Sequence, residues 1–110
     1  MTLSRTEIFA QMAKDDPENA LVWYGLGSEY FKESKWMDAV VALRHVVRLK
    51  PDYTAAYQIL GSALDQIGER EEARSVWRAG IEIATHTNAW KARDHIQALL
   101  DTNEARGDLR

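Results

Sequence analysis

Cysteine is absent from the 110 residues, and proline and glycine are scarce, at two and six residues. A chain without cysteine has no disulfide bond, thiolate metal site or cysteine nucleophile, which suits a reducing compartment. The few prolines and glycines are spread along the chain, so no stretch is typical of a linker or a low-complexity tract. We therefore expect a single domain over residues 1–110, located in the cytoplasm.

Long apolar runs and dense groups of basic residues are also missing. No apolar run approaches the roughly 20 residues of a membrane span. Residues 1–16 lack the basic start and apolar block of a secretion signal. The formal net charge is −3, and no basic stripe is dense enough to neutralise several phosphates. We therefore expect neither a membrane nor a nucleic acid as a partner.

The residues that could carry out chemistry do not form a recognisable set. His45, His86 and His95 are scattered, without the i, i+4 spacing that would hold a metal from one helix face. Gly25 and Gly27 faintly resemble a phosphate-binding loop, but no strand precedes them and no lysine follows in the required place. We expect no catalytic, metal-binding or cofactor-binding residue, and hence no enzyme.

Helical periodicity is present along almost the whole chain. Apolar residues recur at helical spacing in six segments separated by turn residues. The predicted helices cover residues 2–15, 20–33, 36–49, 54–67, 70–84 and 89–102. Ser4 with Glu7 predicts a capping box, Asn19 predicts an N-cap, and Gly68 predicts a left-handed helix end. Residues 103–110 are polar and are expected to fray.

The first and last helices are predicted to cap the ends of the molecule. The apolar face of the first helix, which we expect to be buried, consists of Ile8, Phe9, Met12 and Ala13. Its outer face is expected to be polar, with Arg5, Gln11 and Lys14. The corresponding polar face of the last helix carries Lys91, Asp94 and Gln97.

Two consecutive segments repeat at an interval of 34 residues. The matched pairs are Trp23 with Tyr57, Leu26 with Leu60, Gly27 with Gly61, Tyr30 with Leu64, Ala39 with Ala73, and Leu43 with Trp77. Pro17 and Pro51 have the same separation. Self-similarity at a fixed period predicts a helical solenoid. Small residues let two helices approach closely, so the predicted contacts are Gly27 with Ala39 and Gly61 with Ala73.

This pattern resembles the tetratricopeptide repeat (TPR) family, whose signature is W-x2-L-G-x2-Y…A…P. The first repeat, 20–53, matches at Trp23, Leu26, Gly27, Tyr30, Ala39 and Pro51, and the second, 54–87, at Tyr57, Leu60, Gly61 and Ala73. The second repeat departs at its end, where Thr85 replaces proline. The resemblance implies an all-α fold of antiparallel helix pairs, stacked as a short right-handed superhelix. Residues 1–16 and 88–103 would be capping helices, and 104–110 a frayed tail.

In proteins that resemble this chain, the first helix of each pair lines a concave groove that binds a peptide or a partner's helix. The resemblance places on this groove Tyr24, Ser28, Phe31, Lys32, Gln58, Ser62 and Asp65. Tyr24 and Phe31 lie off the signature face, so they are either partner-binding or packing residues. Trp90 packs against the fourth helix if the 34-residue register continues. It faces the groove if the preceding loop carries one extra residue.

The implied function is that of an adaptor or scaffold that binds a protein or peptide partner. The alternative is a structural protein that forms homodimers or larger homo-oligomers through an end helix, because little more than two repeats leave a limited core. Members that capture chaperone C-terminal carboxylates carry lysine, asparagine and arginine at fixed inner positions. The corresponding positions here hold Tyr24, Ser28 and Ile59, and only Arg93 could match. We expect no such clamp.

Overall fold

The computed structural model describes residues 2–108, which form six helices and no strand. The helices are α1 (Arg5–Asp15), α2 (Ala20–Lys32), α3 (Trp36–Leu49), α4 (Thr54–Gln66), α5 (Arg70–His86) and α6 (Trp90–Asp108). The all-α prediction is confirmed, and the first four helices lie close to their predicted bounds.

Side-chain caps begin the first two helices. Ser4 Oγ accepts a hydrogen bond from the Glu7 amide at 3.0 Å, and the Glu7 carboxylate accepts one from the Ser4 amide. Asn19 Oδ1 accepts hydrogen bonds from the amides of Leu21 and Val22. These amides have no partner within their own helices, so the caps stabilise the helix starts. Both predicted caps are confirmed.

Two kinds of turn recur with the repeat. The residues before the two prolines lie outside the helical region, with φ of −140° at Asp16 and −141° at Lys50, because proline disfavours a helical predecessor. Within each repeat the first helix ends at a left-handed residue, with φ of 60° at Ser34 and 86° at Gly68. The predicted helix end at Gly68 is confirmed.

Each helix packs against the next along the chain, and α4 also touches α2 and α6. Helix α3 therefore lies against both α2 and α4, while α5 lies against both α4 and α6. This stacking gives a helical-repeat solenoid with overall dimensions of 48 × 32 × 20 Å. The first helices of the pairs, α2 and α4, are in contact, and α4 also contacts α6. These are the three helices that the predicted groove would follow.

The repeat signature forms the inside of this stack. The buried signature positions are Leu26, Gly27, Ala39, Leu60, Gly61 and Ala73, and the partly buried ones are Trp23, Tyr30 and Tyr57. Trp23 Nε1 donates a hydrogen bond to the Pro17 carbonyl at 2.8 Å. Tyr57 Oη donates to the Pro51 carbonyl at 2.6 Å. In each repeat, the first aromatic residue of the signature thus binds the proline turn that precedes its own helix.

The two signature glycines lie at close helix contacts, but their partners differ from the predicted ones. A Cβ on Gly27 would lie 2.7 Å from Leu43 Cγ, and a Cβ on Gly61 would lie 2.2 Å from Trp77 Nε1. The glycines therefore make room for a large side chain on the facing helix. The predicted contacts were with Ala39 and Ala73, whereas the nearest side chains are those of Leu43 and Trp77.

Helix α1 buries a different face from the predicted one. Thr6 and Ala13 are buried and Phe9 is partly buried, whereas Ile8 and Met12 are 45% and 43% exposed. The prediction of Ile8 and Met12 as buried is wrong, and so is the prediction of a purely polar outer face. The reason is the number of neighbours, since α1 packs on α2 alone whereas α3 packs on two helices.

The repeat is interrupted where α5 meets α6. Thr85 stands one repeat after Pro51, and without a proline α5 continues to His86. Thr85 Oγ1 donates a hydrogen bond to the Ile81 carbonyl at 2.7 Å within this extension. Asn88 then turns the chain with φ of 59°. Helix α6 consequently begins two residues later than the 34-residue register places it. The extra length lies in the longer α5 and not in the loop between α5 and α6.

The predicted frayed tail is helical as far as the structure describes it. Helix α6 extends to Asp108, so the prediction of fraying over 104–110 is wrong for residues 104–108, while Leu109 and Arg110 lie outside the described residues. The reason is that α6 remains packed against α5 beyond its predicted end, through Asn103, whose side chain is fully buried.

A polar network around Asn103 holds this last part of α6. Asn103 Nδ2 donates a hydrogen bond to Asp65 Oδ1 at 2.8 Å, and its Oδ1 accepts one from Arg74 Nε at 2.6 Å. Arg106 forms an ion pair with the other carboxylate oxygen of Asp65. The buried amide is therefore hydrogen-bonded on both sides, which offsets the cost of removing it from water.

Candidate binding groove

Four of the predicted groove residues line one cavity. The cavity has a volume of about 420 Å³ and lies between α1, α2 and α4. The predicted residues in its lining are Tyr24, Ser28, Phe31 and Lys32. Five further residues complete the lining: Arg5 and Phe9 from α1, Gly25 and Glu29 from α2, and Ile59 from α4. Of these, only Ile59 had been placed at an inner position. Arg5 and Phe9 were not predicted as lining residues because α1 was expected only to cap the end of the stack.

The aromatic residues of the cavity also pack within the protein. The Tyr24 ring lies 4.9 Å from the Tyr53 ring at 31°, and the Phe31 ring lies 5.1 Å from the Trp36 ring at 64°. Burial, with the nearby Tyr24 as a smaller cause, raises the pKa of Tyr53. Tyr24 and Phe31 are partly buried, so each combines a packed side with a face on the cavity. The packing alternative is therefore observed for both residues, and partner binding by them stays a prediction.

Charged side chains form one edge of the cavity. Glu29 Oε1 accepts a hydrogen bond from Arg5 Nε at 2.9 Å and lies 3.5 Å from Lys32 Nζ. The hydrogen bond from Arg5 is the main cause that holds the pKa of Glu29 below its usual value. Burial acts in the opposite direction and raises this pKa, while the charge of Lys32 lowers it further. Two cations share one anion, so one positive charge is left over at this edge.

Ser28 differs from the other lining residues because its hydroxyl is shielded. Its Oγ is buried and has no hydrogen-bond partner among residues 2–108. A buried hydroxyl without a partner costs about 1–3 kcal/mol. The accessible polar groups of the cavity are therefore those of its charged edge.

The predicted groove residues on α4 do not line this cavity. Asp65 binds Asn103 and Arg106 of α6, so its carboxylate already holds two helices together. Gln58 uses its backbone carbonyl to accept a hydrogen bond from Trp77 Nε1 at 3.2 Å. Ser62 is partly buried on the same helix. These positions lie further along the layer of first helices than the cavity does.

Trp90 is the first residue of α6 and is 51% exposed. The Arg93 guanidinium lies 5.8 Å from its ring centroid, which is cation–π geometry. The alternative in which Trp90 packs as a core residue against α4 is therefore wrong, because the two-residue shift of α6 moves it to the exposed first turn. Its exposed ring stays a predicted contact for a partner.

A second, larger cavity lies beside the two proline turns and was not predicted. Its volume is about 880 Å³. The lining residues from the turn before α2 are Asp16, Glu18, Asn19, Ala20 and Leu21, and those from the turn before α4 are Lys50, Asp52, Tyr53, Thr54 and Ala55. The signal that could have found it is the 34-residue spacing of Pro17 and Pro51, which places two equivalent turns side by side. Acidic side chains outnumber basic ones in this lining.

None of the helices within residues 2–108 is both long and apolar enough to cross a membrane. Across the same residues, no three or more histidine or acidic side chains come together as a group that could hold a metal ion.

Comparison with characterised sequences identifies two kinds of relative. The TPR repeat-containing protein PA0015 of Pseudomonas aeruginosa is 30% identical over 90 residues, which cover 81% of this chain and 86% of the relative. Protein HemY of Escherichia coli is 29% identical over 82 residues, which cover 74% of this chain. The chain spans only about a fifth of the length of HemY. No protein-family model matches the chain.

Solved structures with the same architecture cover nearly the whole chain. Protein BPP2914 from Bordetella parapertussis superimposes with a TM-score of 0.86 at 25% identity, over 99% of this chain and 95% of that one. The first TPR of Spaghetti (RPAP3), bound to the HSP90 peptide SRMEEVD, has a TM-score of 0.70 at 26% identity, over 86% and 76%. The recurrent signature, the helical stack and the similarity to PA0015 agree: the chain belongs to the tetratricopeptide repeat family.

Proposed function

We propose that this chain is a protein-interaction module whose groove binds an extended segment of a partner protein. The observation that carries the proposal is the open cavity between α1, α2 and α4, with its aromatic lining and charged edge. Rigid aromatic side chains offer a large contact area at a small cost in conformational entropy. A groove of this kind favours binding of a partner protein over catalysis, and it suits an adaptor or scaffold role.

The chemistry of the cavity favours a segment with an apolar side chain next to a carboxylate. Phe9, Tyr24 and Ile59 would surround the apolar group. The positive charge left over where Arg5 and Lys32 share Glu29 would attract the carboxylate. The TPR of Spaghetti, which is similar in fold, is bound to an HSP90 peptide, and this supports peptide binding in general. The tyrosine, serine and isoleucine at the clamp positions argue against inheriting that particular peptide class.

The test is selection of peptides from a random library, followed by titration calorimetry of the best binder. The double variant Tyr24→Ala/Phe31→Ala should weaken binding at least about tenfold, because the loss of each ring would remove a contact worth about 1 kcal/mol or more. Lys32→Glu, at an exposed position, should weaken binding of carboxylate-bearing peptides and leave the fold intact.

The matched control is Met37→Ala/Val41→Ala, which removes two exposed apolar side chains from α3 outside the cavity lining. It should bind the peptide as the wild type does. If the groove variants keep their helical circular dichroism and bind with unchanged affinity, the proposed site is wrong.

A further inference from the structure

Helix α1 carries a narrow exposed stripe, of which only Arg5 also lines the groove cavity. The stripe consists of Arg5, Ile8, Met12 and Asp15, at successive spacings of three, four and three residues. Its two central residues are apolar and nearly half exposed, and its two ends carry opposite charges. Spacings of three and four are typical of the seam of two packed helices. Leu3, 55% exposed, precedes the N-cap next to this stripe.

The repeat register shows why a helix should cover the α1 stripe. Ile8 and Met12 lie 34 residues before Ala42 and Val46 of α3, and both of these are buried. Helix α3 packs against both α2 and α4, whereas α1 packs on α2 alone. The stripe therefore occupies positions that an adjacent helix covers in the complete repeat, and the missing cover must itself be helical to follow the same spacing.

We infer that the α1 stripe is a self-association surface, covered by the α1 stripe of a second copy in antiparallel orientation. A twofold axis near residue 10 places Ile8 of one copy opposite Met12 of the other. The same axis places Arg5 opposite Asp15 at both ends of the seam. One stripe is thus complementary to itself in apolar surface and in charge, which is what an isologous dimer requires.

The charges select this orientation over the parallel one. A parallel pair would place Arg5 against Arg5 and Asp15 against Asp15, so both ends would repel. An antiparallel pair also aligns the two helix dipoles favourably. In the folded chain Arg5 already binds Glu29 through Nε, and Asp15 accepts a hydrogen bond from Gln11. Since both side chains are exposed, they remain accessible to a second copy.

The seam is short, so the dimer should be weak and concentration-dependent. Only two or three apolar side chains from each copy meet, and interfaces below about 1,200 Å² in total area are typically transient. Analytical ultracentrifugation across micromolar to millimolar concentrations should show the mass rising from that of one 12.5 kDa chain to that of two.

Met12→Lys should move the midpoint of this transition at least about tenfold higher in concentration, because it places two charged lysines in an apolar seam. Met37→Lys, at a methionine of α3 that is 60% exposed, is the matched control and should leave the midpoint unchanged. A mass of one chain at every concentration would overturn the inference, and so would an equal shift in both variants.

Cysteine crosslinking tests the antiparallel register directly, since the chain has no cysteine of its own. A mixture of Ile8→Cys and Met12→Cys chains should form the mixed disulfide in preference to either homodimeric disulfide. The Cα atoms of a disulfide must come within about 7 Å, and in this register only the 8–12 pair does so. Preferential 8–8 or 12–12 crosslinks would indicate a parallel pair and overturn the proposed geometry.

Discussion

Among single residues, Gly61 shows most clearly how the repeat signature works. The absence of its side chain leaves space for the indole of Trp77, whose Nε1 donates a hydrogen bond to the carbonyl of Gln58. Gly27 and Leu43 repeat the arrangement with a smaller side chain. A residue that weakens its own helix thus stabilises the pair of helices, because it lets the largest core side chain pack without a void.

We expect Gly61→Ala to lower the free energy of unfolding by about 1–3 kcal/mol. In an open helix position the same change would raise stability by up to about 1 kcal/mol, so the sign of the effect separates the two situations. The new Cβ would lie 2.2 Å from Trp77 Nε1, closer than two such atoms can approach. Urea denaturation gives the measurement, and Ser62→Ala, on the same helix, is the control. A stabilised variant would contradict the observed contact.

At the scale of whole helices, proline decides where the second helix of each pair ends. Before Pro17 and Pro51 the chain leaves the helical region and turns in the same way. At Thr85 no such restriction exists, and α5 continues until Asn88 turns the chain. One substitution at a repeat position therefore moves an entire helix, and the exposed position of Trp90 is its direct result.

Thr85→Pro should destabilise the protein by about 3 kcal/mol. The proline ring would clash with the carbonyl of Ile81 and end α5 early, while α6 is packed in the register set by the longer helix. Thermal melts followed by circular dichroism would measure the change. Thr85→Ala, which removes only the hydroxyl bonded to Ile81, should be close to neutral. Equal stability of both variants would mean that α6 adapts freely to the regular register.

At the scale of the whole molecule, the two ends are attached by different means. Helix α6 is held by the core residues Ile96 and Leu100 and by the buried amide of Asn103. Helix α1 has a smaller apolar contact with α2 and adds polar bonds, from Arg5 to Glu29 and from Thr6 to Glu33. The attachment of α1 therefore depends on the ionisation of Glu29 and Glu33.

The stability of the molecule should fall in acid through Glu29 and Glu33. The pKa values of both carboxyl groups lie below the ordinary value of 4.5. The main cause is the hydrogen bond from Arg5 for Glu29 and the hydrogen bond from Thr6 for Glu33. A carboxyl whose pKa is lower in the folded state adds stability above its unfolded pKa and loses it as pH falls through the folded pKa. Denaturant titrations at a series of pH values would measure this.

The variant Glu29→Gln should show a smaller loss of stability in acid than the wild type does. Its matched control is Glu82→Gln, at an exposed position of α5, which also removes one negative charge. A wild-type profile that is flat from neutral pH into acid would show that these bonds do not tie α1 to the rest of the molecule.

The sequence by itself determined the number of helices, most of their ends and the family. These follow from local rules, since a proline restricts its predecessor and a cap satisfies its own helix, and from a signature that recurs at one interval. Only the tertiary structure decided which face of α1 is buried, what fills the space beside Gly27 and Gly61, and that Asp65 binds α6. Those outcomes depend on how many neighbours each helix has, which a pattern along one helix does not contain.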